Sequence, residues 1–276
     1  MADLQNNVKK KKKMKKQTVV RVARILVQIV CFLIAPAMFS QAFSGLKNML
    51  TAIGTGTPLE WSSFTVKLVA LLCVTIVFGR IFCGWACAFG ALNDWVYQIV
   101  AAITKKLGIK LPQIPERARI LLQKVKYLVL FLVLLLCFTG KGSLVTTYSP
   151  WTVFSMLTAG NFAIGNFAVS GVILLLMMVG MALQERFFCQ FICPMGAVFS
   201  LMPQLPFFAL KRKKSNCPPK CQLCKKNCPV SIKLTETPER EGECIGCLRC
   251  MAGCPKKNIS IIEKRKTEEK IKVQEA

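Results

Sequence analysis

The stretch that decides the fold of the C-terminal segment is CPPKCQLCKKNCP from Cys217 to Pro229, followed after a short linker by CIGCLRCMAGCP from Cys244 to Pro255. These two runs contain eight of the 15 cysteines in the chain. Three closely spaced cysteines in each run can bind one face of an iron–sulfur cluster, and the fourth ligand then comes from another part of the chain. Eight thiolates in two such runs predict two 4Fe-4S clusters.

The second run has the cysteine spacing of bacterial ferredoxins, whereas the first has one extra residue after Cys217. In two-cluster ferredoxins the fourth cysteine of each run binds the other cluster. The same rule divides the eight cysteines of this chain into two ligand sets. The first cluster is expected to use Cys217, Cys221, Cys224 and Cys254, and the second is expected to use Cys244, Cys247, Cys250 and Cys228.

Zinc and disulfide bonds are the alternatives for these eight cysteines. Zinc sites of four cysteines usually consist of two separated C-x2-C pairs. A third cysteine only two residues further on, with a fourth before proline, does not match that pattern. Disulfide bonds need an oxidising compartment, whereas the distribution of lysine and arginine places this segment in the cytoplasm. We therefore prefer iron–sulfur ligation.

The composition excludes several classes of protein. Hydrophobic residues make up 53% of the 276 residues, which is too apolar for an ordinary soluble protein, and the formal net charge is +25. Such a charge can indicate a nucleic-acid-binding protein, but here the basic residues lie beside long apolar runs and instead indicate orientation in a membrane. The chain has no histidine, which excludes histidine-ligated haem and histidine-ligated metal sites.

Four apolar runs are long enough to be membrane-spanning helices of about 20 residues. The first is interpreted as a retained helix and not as a cleaved signal peptide, because it is long and no small-x-small cleavage site is evident. Pro36 is expected to kink this helix, and the segments 44–63 and 139–165 are expected to be loops. The four runs cover about residues 19–43, 64–82, 121–138 and 166–183.

Lysine and arginine residues are concentrated on one side of this four-helix arrangement, which is therefore expected to be the cytoplasmic side. The loops on the opposite side contain only Lys47 and Lys141, with Lys67 near a helix end. Both termini and the cysteine-rich segment are then cytoplasmic. The basic residues on that side are Lys9 to Lys13, Lys15, Lys16, Arg21, Arg24, Lys105, Lys106, Lys110, Arg117, Arg119, Lys124, Lys126 and residues 211–214.

These patterns predict an all-α membrane domain of four transmembrane helices, arranged as two repeated helical hairpins, plus a small α+β two-cluster ferredoxin-like cytoplasmic domain. The protein is expected to be a multi-pass protein of the cytoplasmic (inner) membrane. The expected units are a basic N-terminus at 1–18, the membrane domain at 19–210, the two-cluster domain at 211–262 and a charged tail at 263–276.

The two hairpins are inferred from a sequence repeat. Residues 79–91 are GRIFCGWACAFGA and residues 185–197 are ERFFCQFICPMGA, so arginine, phenylalanine, both cysteines, glycine and alanine coincide. A C-x3-C pair places both sulfurs on one face of a helical turn, and two pairs brought together by pseudo-symmetry would supply four thiolates. The predicted third cluster or redox unit, at the cytoplasmic membrane face, consists of Cys83, Cys87, Cys189 and Cys193, with Arg80 and Arg186 offsetting its negative charge.

Two alternatives exist for the C-x3-C pairs. Free cysteines often act as small apolar residues, so the pairs can be buried thiols that pack the helix ends. A disulfide relay is the other alternative, but it needs extracytoplasmic access, which the charge pattern opposes. Cys31, Cys73 and Cys137 each lie alone in an apolar run and are interpreted as packing residues.

The two C-x3-C motifs at helix ends, followed by the two cysteine runs, resemble the NapH/NosR family of membrane polyferredoxins over about residues 19–262. The resemblance implies four helices, cytoplasmic clusters and electron transfer between a quinol pool or cytosolic donor and an extracytoplasmic partner. It also implies redox protein partners, with a flavin-binding protein and quinone as candidates. The chain has no D-x-x-S/T-G-A-T/S attachment motif, so a covalent flavin is expected only on a partner. Pro194 follows Cys193 whereas Ala88 follows Cys87, which departs from the family pattern.

The leading hypothesis is therefore a membrane-anchored electron-transfer protein, because iron–sulfur clusters carry single electrons. No substrate pocket with a general base is evident, so a subunit of an oxidoreductase complex is preferred over a stand-alone enzyme. The expected partners are the membrane and redox proteins, and not nucleic acid. One alternative is an assembly or maturation factor that reduces a metal centre or metal ion, and another is a basic membrane scaffold whose clusters are structural.

Overall fold

The computed structural model describes residues 2–58, 61–109, 111–112, 114–162, 165–203, 209–212, 217–218, 221–232 and 242–262. The charged tail predicted at 263–276 lies outside these residues, as do three of the basic residues used for orientation, Lys110, Lys213 and Lys214. The part of the chain that is described is mostly helical and contains a short two-stranded sheet.

The apolar part of the chain, up to residue 203, folds into helices whose order occurs twice. In each half a long helix is followed by an inner helical segment, a shorter apolar helix, a five-residue helix and a further helix. The first half consists of α1 (Ala2–Ile34), α2 (Met38–Thr55), α3 (Ser63–Phe78), α4 (Ile81–Trp85) and α5 (Ala88–Lys106). The second half consists of α6 (Glu116–Phe138), α7 (Gly142–Thr147), α8 (Pro150–Thr158), α9 (Ala168–Leu183), α10 (Phe187–Phe191) and α11 (Pro194–Leu201).

Pro36 divides the first predicted apolar run into two helices, α1 and α2. Proline has no N–H to donate and disfavours the helical conformation of the residue before it. Helix α1 therefore ends at Ile34, and α2 begins at Met38. The prediction of one kinked helix over 19–43 is wrong, and so is the loop predicted from residue 44, because α2 continues to Thr55.

The second predicted loop, residues 139–165, is also largely helical, because it contains α7 and α8. Hydropathy missed these inner helices and α2 because they contain glycine, serine and threonine, which are typical of loops. Packing stabilises them instead. A side chain added at Gly45 of α2 would collide with the backbone of Phe64 in α3, and Ser155 of α8 donates a 2.7 Å hydrogen bond to Ser40 of α2.

Two helical segments are long and apolar enough to cross a membrane, Lys16–Ile34 of α1 and Glu116–Phe138 of α6. Two shorter apolar helices, α3 and α9, occupy matching positions in the two halves. Apolar side chains on these helices face outward: Leu33 of α1 is 75% exposed, Leu121 of α6 is 68% exposed and Leu175 of α9 is 68% exposed. Large apolar surfaces of this kind are rare on soluble monomers, so they support a membrane protein.

An aromatic cluster joins the two halves inside the helical part. The ring centroid of Phe89 in α5 lies 4.6 Å from that of Phe188 in α10 and 4.9 Å from that of Phe154 in α8. Phe43 of α2 lies 4.8 Å from Trp151 of α8. All five rings are buried. Tilted and edge-to-face pairs at such distances add to the free energy of burial, so the cluster holds the starts of α5 and α10 together.

A short antiparallel sheet closes the cysteine-rich segment. Strand β1 (Ala209–Arg212) pairs with β2 (Ile259–Ile262), with Ala209 opposite Ile262. Two short helices lie between the strands, α12 (Leu223–Lys226) and α13 (Arg249–Gly253), and each contains one cysteine. Because the strands join the two ends of the segment, the two cysteine runs are held close to one another.

Candidate iron–sulfur sites

The four cysteines predicted to bind the second tail cluster line one cavity between the two cysteine runs. They are Cys228, Cys244, Cys247 and Cys250, and Cys224 of the other predicted set joins them. The rest of the lining is apolar, and comes from Leu210, Val230, Ile232, Ile245 and Leu248. Convergent thiols in an apolar, water-poor cavity fit an iron–sulfur cluster, whose potential depends on exclusion of solvent.

Two thiols of this cavity, Cys228 and Cys250, are difficult to ionise without a metal. Burial, together with the nearby thiol of Cys247, raises the pKa of Cys228 to about 12. Burial and the thiol of Cys247 also raise the pKa of Cys250. Cysteines that bind a metal have to lose their protons, and a bound metal would supply the positive charge that stabilises thiolates at these two positions. The donor set therefore fits a metal cluster.

Asn258 brings together two cysteines of the first predicted set. The backbone N–H of Asn258 donates to Cys254 Sγ, and its side-chain Nδ2 donates to Cys217 Sγ, both at 3.4 Å. Cys221 is half-buried just before α12, which carries Cys224. The structure thus places Cys217 beside Cys254, although Cys224 also lines the neighbouring cavity.

The two C-x3-C pairs occupy matching positions in the two halves of the helical part. Cys83 lies in α4 and Cys189 lies in α10, while Cys87 and Cys193 immediately precede α5 and α11. All four are buried. Burial raises the pKa of Cys193, and each of the other three thiols raises it further. The four sulfurs therefore lie close enough to interact electrostatically.

Cys87 and Cys193 each occupy the N-cap position of the helix that follows them. The backbone N–H of Gly196 donates to Cys193 Sγ at 3.1 Å. Burial and the neighbouring thiols raise the pKa of Cys87, and a hydrogen bond from the backbone of Gly90 opposes that effect. The N-terminus of a helix carries partial positive charge and favours a thiolate over a thiol. Both N-cap positions therefore oppose part of the effect by which burial and the neighbouring thiols favour the protonated cysteine.

Each arginine of the sequence repeat contacts the matched glycine of the opposite half. A Cβ added at Gly90 would lie 2.6 Å from Arg186 Nη1, and one added at Gly196 would lie 2.9 Å from Arg80 Nη2. Arg186 Nη1 also lies 3.9 Å from Cys189 Sγ. Both arginines are buried. The glycines thus leave room for two guanidinium groups beside the cysteines, where positive charge favours thiolates.

Asp94 of α5 is the carboxylate partner of Arg186. Arg186 Nε donates to Asp94 Oδ1 at 2.7 Å, and Arg186 Nη2 donates to Oδ2. Arg24 of α1 donates to the same carboxylate, and Gln28 donates to it at 2.8 Å. Burial raises the pKa of Asp94, but Arg186 and Arg24 outweigh that effect and hold the pKa below its usual value. Two cations and one carboxylate therefore form a buried group in the first half.

Glu243, directly before Cys244 in the tail, is the carboxylate partner of Arg80. Arg80 Nη1 donates to Glu243 Oε2 at 3.1 Å, and Lys126 of α6 donates to Oε1. Burial raises the pKa of Glu243, but Arg80 and Lys126 again hold it below its usual value. The second half thus has the same group of two cations and one carboxylate, with the carboxylate supplied by the cysteine-rich segment.

The second tail set lies directly against the C-x3-C motifs. Trp85 Nε1 in α4 donates to the carbonyl of Gly246 at 3.1 Å. Gly84 lies so close to the carbonyl of Ile245 that an added Cβ would collide with it. Gln190 of α10 donates at 2.8 Å to the carbonyl of the proline that ends the first cysteine run. Backbone that carries tail cysteines therefore packs on the short helices that carry the buried pairs.

Within the described ranges, no three potential ligand side chains converge closely enough to hold a single metal ion. The thiolates of a 4Fe-4S cluster surround a cube of iron and sulfide and so lie farther apart than the ligands of one ion.

Sequence reasoning missed the charged partners of the two arginines and the bridging side chain of Asn258. One usable indication was present. The chain has only 13 acidic residues, and Asp94 lies in a moderately apolar segment, where an ionisable residue is a candidate functional group. Nothing comparable marks Glu243, because it lies among other polar residues of the tail.

The three remaining cysteines differ in their surroundings. Cys137 is completely buried in α6, and Cys31 is half-buried in α1. Cys73 of α3 is exposed, so this thiol does not pack inside the chain as the packing interpretation expected.

Two segments of the chain match a protein family described as a 4Fe-4S binding domain, residues 62–110 and residues 167–215. Each match contains one C-x3-C motif, so each half of the helical part carries one copy. An uncharacterised protein of Methanocaldococcus jannaschii is 33% identical over 199 residues, which cover 72% of this chain and 70% of that protein.

Two further relatives have names that describe a function. The putative electron transport protein YccM of Escherichia coli is 26% identical over 77% of this chain and 59% of its own length. The ferredoxin-type protein NapH of Haemophilus influenzae is 24% identical over 68% of this chain and 64% of its own length. The chain thus spans less than two thirds of each of these two relatives. No solved structure matches the chain.

Proposed function

Because this chain belongs to the NapH/NosR-type family of iron–sulfur membrane proteins, we propose that it carries electrons between a cytosolic donor or the quinol pool and a membrane-associated or extracytoplasmic redox partner. Iron–sulfur electron transfer is its general function, as the repeated 4Fe-4S binding domain and the named relatives indicate. Its donor and acceptor are redox partners of the kind with which such relatives work, and a flavoprotein and quinone are the two candidates.

The contact between the second tail set and the C-x3-C motifs carries this proposal. The hydrogen bond from Trp85 to Gly246 and the close approach of Gly84 to Ile245 join two groups of cysteines through backbone. When bound, 4Fe-4S clusters accept and release single electrons. A chain of one-electron carriers requires its cysteine sets to be held close together, whereas an isolated structural cluster would not need this packing of the tail backbone on α4.

In this proposal the residues of the chain have three roles at the cluster sites: they bind the iron, exclude water and offset the negative charge of the thiolates. The apolar lining of the tail cavity excludes water, and Arg80 and Arg186 offset thiolate charge at the membrane face. We assign three ligand sets: Cys217, Cys221, Cys224 and Cys254; Cys228, Cys244, Cys247 and Cys250; and Cys83, Cys87, Cys189 and Cys193.

The proposed topology has four membrane helices, α1, α3, α6 and α9, with the cysteine-rich segment and both termini in the cytoplasm. The outward-facing leucines of α1, α6 and α9 support it. The basic residues Arg24 and Lys126 lie at the same end of the helical part as the buried cysteine pairs and the tail, because they contact Asp94 and Glu243. Lys105 and Lys106 end α5, and cytoplasmic flanks are typically enriched in such residues.

Metal analysis and spectroscopy of anaerobically purified full-length protein test the proposed cofactors. The two tail sets are expected to hold about eight irons, since each 4Fe-4S cluster uses four thiolates, and iron above that number is expected from the buried pairs. Stoichiometric zinc with little iron would contradict the proposal.

Reoxidation kinetics test the proposed role. Chemically reduced protein in membranes is expected to be oxidised rapidly by a quinone analogue or by a flavoprotein. Clusters that are not reduced or oxidised under any of these conditions would favour the structural scaffold. Rapid transfer to a free metal ion, without transfer to quinone or flavoprotein, would favour the maturation factor.

A further inference from the structure

The buried charged groups of the two halves correspond to one another except at one position. Gly90 and Asp94 lie four residues apart on α5, and the matched residues on α11 are Gly196 and Ser200. Residues four apart lie on the same face of a helix. Both glycines face the arginine of the opposite half, so Ser200 stands where the second half would have its own carboxylate.

Arg80 shows the consequence of this difference. Arg186 Nε donates to Asp94, whereas Arg80 Nε has no hydrogen-bond partner among the residues that the structure describes. Ser200 Oγ does not replace the carboxylate, because it lies 3.0 Å from the hydroxyl of Tyr127 and donates to the carbonyl of Ala197. The helices of the second half therefore lack one negative charge beside Arg80.

Glu243 supplies that charge from outside the helical part. It lies between Arg80 and Lys126, whose side chains are 1% and 0% exposed. Without Glu243 these two cations would have no carboxylate between them, and removal of one partner of a buried ion pair is strongly destabilising. The first half already has Asp94, so the tail carboxylate fits only one of the two related positions. Because Cys244 follows Glu243 directly, the ion pairs also position the first cysteine of the second run.

We propose that Glu243 replaces, from the tail, the carboxylate that the second half lacks, and that its ion pairs with Arg80 and Lys126 hold the second tail set against the buried cysteine pairs. Glu243 is a positioning residue in this role, because it acts through the placement of Cys244 and its neighbours. The inference rests on the proposed function, since it concerns electron transfer between these two cysteine sets.

The variant Glu243→Gln in the full-length, iron-loaded protein tests the inference. Iron content is expected to stay unchanged, while the magnetic interaction between the second tail site and the membrane-face site in low-temperature paramagnetic resonance is lost. Electron transfer between the two sites is expected to slow by on the order of tenfold or more, because the buried ion pairs that hold the second tail set against the membrane-face site are lost. An unchanged interaction and an unchanged rate would overturn the inference.

Glu116→Gln is the matched control. Glu116 joins α6 to Lys225 of the tail at 2.8 Å, but its side chain is 51% exposed. Exposed ion pairs contribute little, so the interaction and the rate are expected to match those of the unchanged protein. An effect as large as that of Glu243→Gln would mean that the loss of any contact between the tail and the helices disturbs the two sites equally. That result would overturn the specific role of Glu243.

The double variant Ser200→Asp with Glu243→Gln covers the case in which the single variant does not accumulate. It places a carboxylate in the second half at the position that Asp94 occupies in the first, so it is expected to accumulate with iron at all sites. Failure of both variants to accumulate would overturn the inference. Absence of iron–sulfur signals in the unchanged protein would instead contradict the proposed function itself, so the two failures are distinguishable.

Discussion

Arg186 donates through Nε and Nη2 to the two oxygens of Asp94, so a guanidinium of the second half is bound in the first. The side chains of both residues are almost completely buried, at 0% and 1% exposure. A two-point arginine–carboxylate pair has a narrowly defined geometry, so this contact sets the position of one C-x3-C motif relative to the other. It gives a physical basis for one four-cysteine site built from two repeats.

Replacement of any one of Cys83, Cys87, Cys189 and Cys193 by serine is expected to remove the same paramagnetic signal. The reason is that four thiolates hold one cluster, so loss of any of them removes about four irons. The signals of the two tail sites should persist, and insertion into the membrane should be largely unaffected. Iron analysis and low-temperature paramagnetic resonance measure both effects.

Cys73→Ser is the matched control for these variants, because Cys73 is exposed on α3. It is expected to leave iron content, spectrum and electron transfer unchanged. If all four site variants also keep full iron, an unchanged spectrum and normal electron transfer, the buried pairs are packing residues.

Reporter insertions at Gly108 and Gly160 are expected to lie on opposite sides of the membrane. Gly108 follows the basic end of α5 and should be cytoplasmic, whereas Gly160 follows α8 and should be extracytoplasmic. Both have positive φ, and an added Cβ would meet no atom within 4 Å at either site, so insertions should be tolerated. Reporters active only in the cytoplasm or only outside it measure the side, and the same result at both positions would exclude the four-helix topology.

Gly90→Ala and Gly196→Ala are expected to destabilise the helical part by about 1–3 kcal/mol, as overpacking of a filled core does. The added methyl groups would lie 2.6 Å and 2.9 Å from the buried guanidinium nitrogens of Arg186 and Arg80. Thermal unfolding in detergent measures the change, and the signal of the membrane-face site should disappear before those of the tail. At Gly165 an added Cβ meets nothing within 4 Å, so an equal loss of stability in Gly165→Ala would contradict the steric explanation.

Asn258→Ala is expected to lower the reduction potential of the first tail site. The side-chain N–H of Asn258 donates to Cys217 Sγ, and hydrogen bonds to ligand sulfurs stabilise the more negative, reduced state of a cluster. Redox titration followed by paramagnetic resonance measures the potentials of both tail sites. The potential of the second tail site should not change, and a shift there with none at the first site would show that the hydrogen bond has been assigned to the wrong cluster.

Local patterns were sufficient for several parts of the fold. Helices α3, α6 and α9 lie where apolar runs predicted them, because a continuous apolar stretch needs no distant partner to be recognised. The same reasoning failed for α2, α7 and α8, whose glycine, serine and threonine residues become helical through packing against neighbouring helices. It also failed at Pro36, where the chain breaks into two helices instead of kinking within one.

The sequence by itself determined the two cysteine runs, the two C-x3-C motifs and the apolar runs, because each of these depends on spacing over a few residues. Only the tertiary structure decided that each arginine lies against the glycine of the opposite half, and which carboxylate binds it. Arg186 and Asp94 are 92 residues apart, and Arg80 and Glu243 are 163 residues apart. A buried charge is strongly destabilising unless a group of opposite charge lies beside it. Only the packing of the helices and the tail determines which distant residue provides that group.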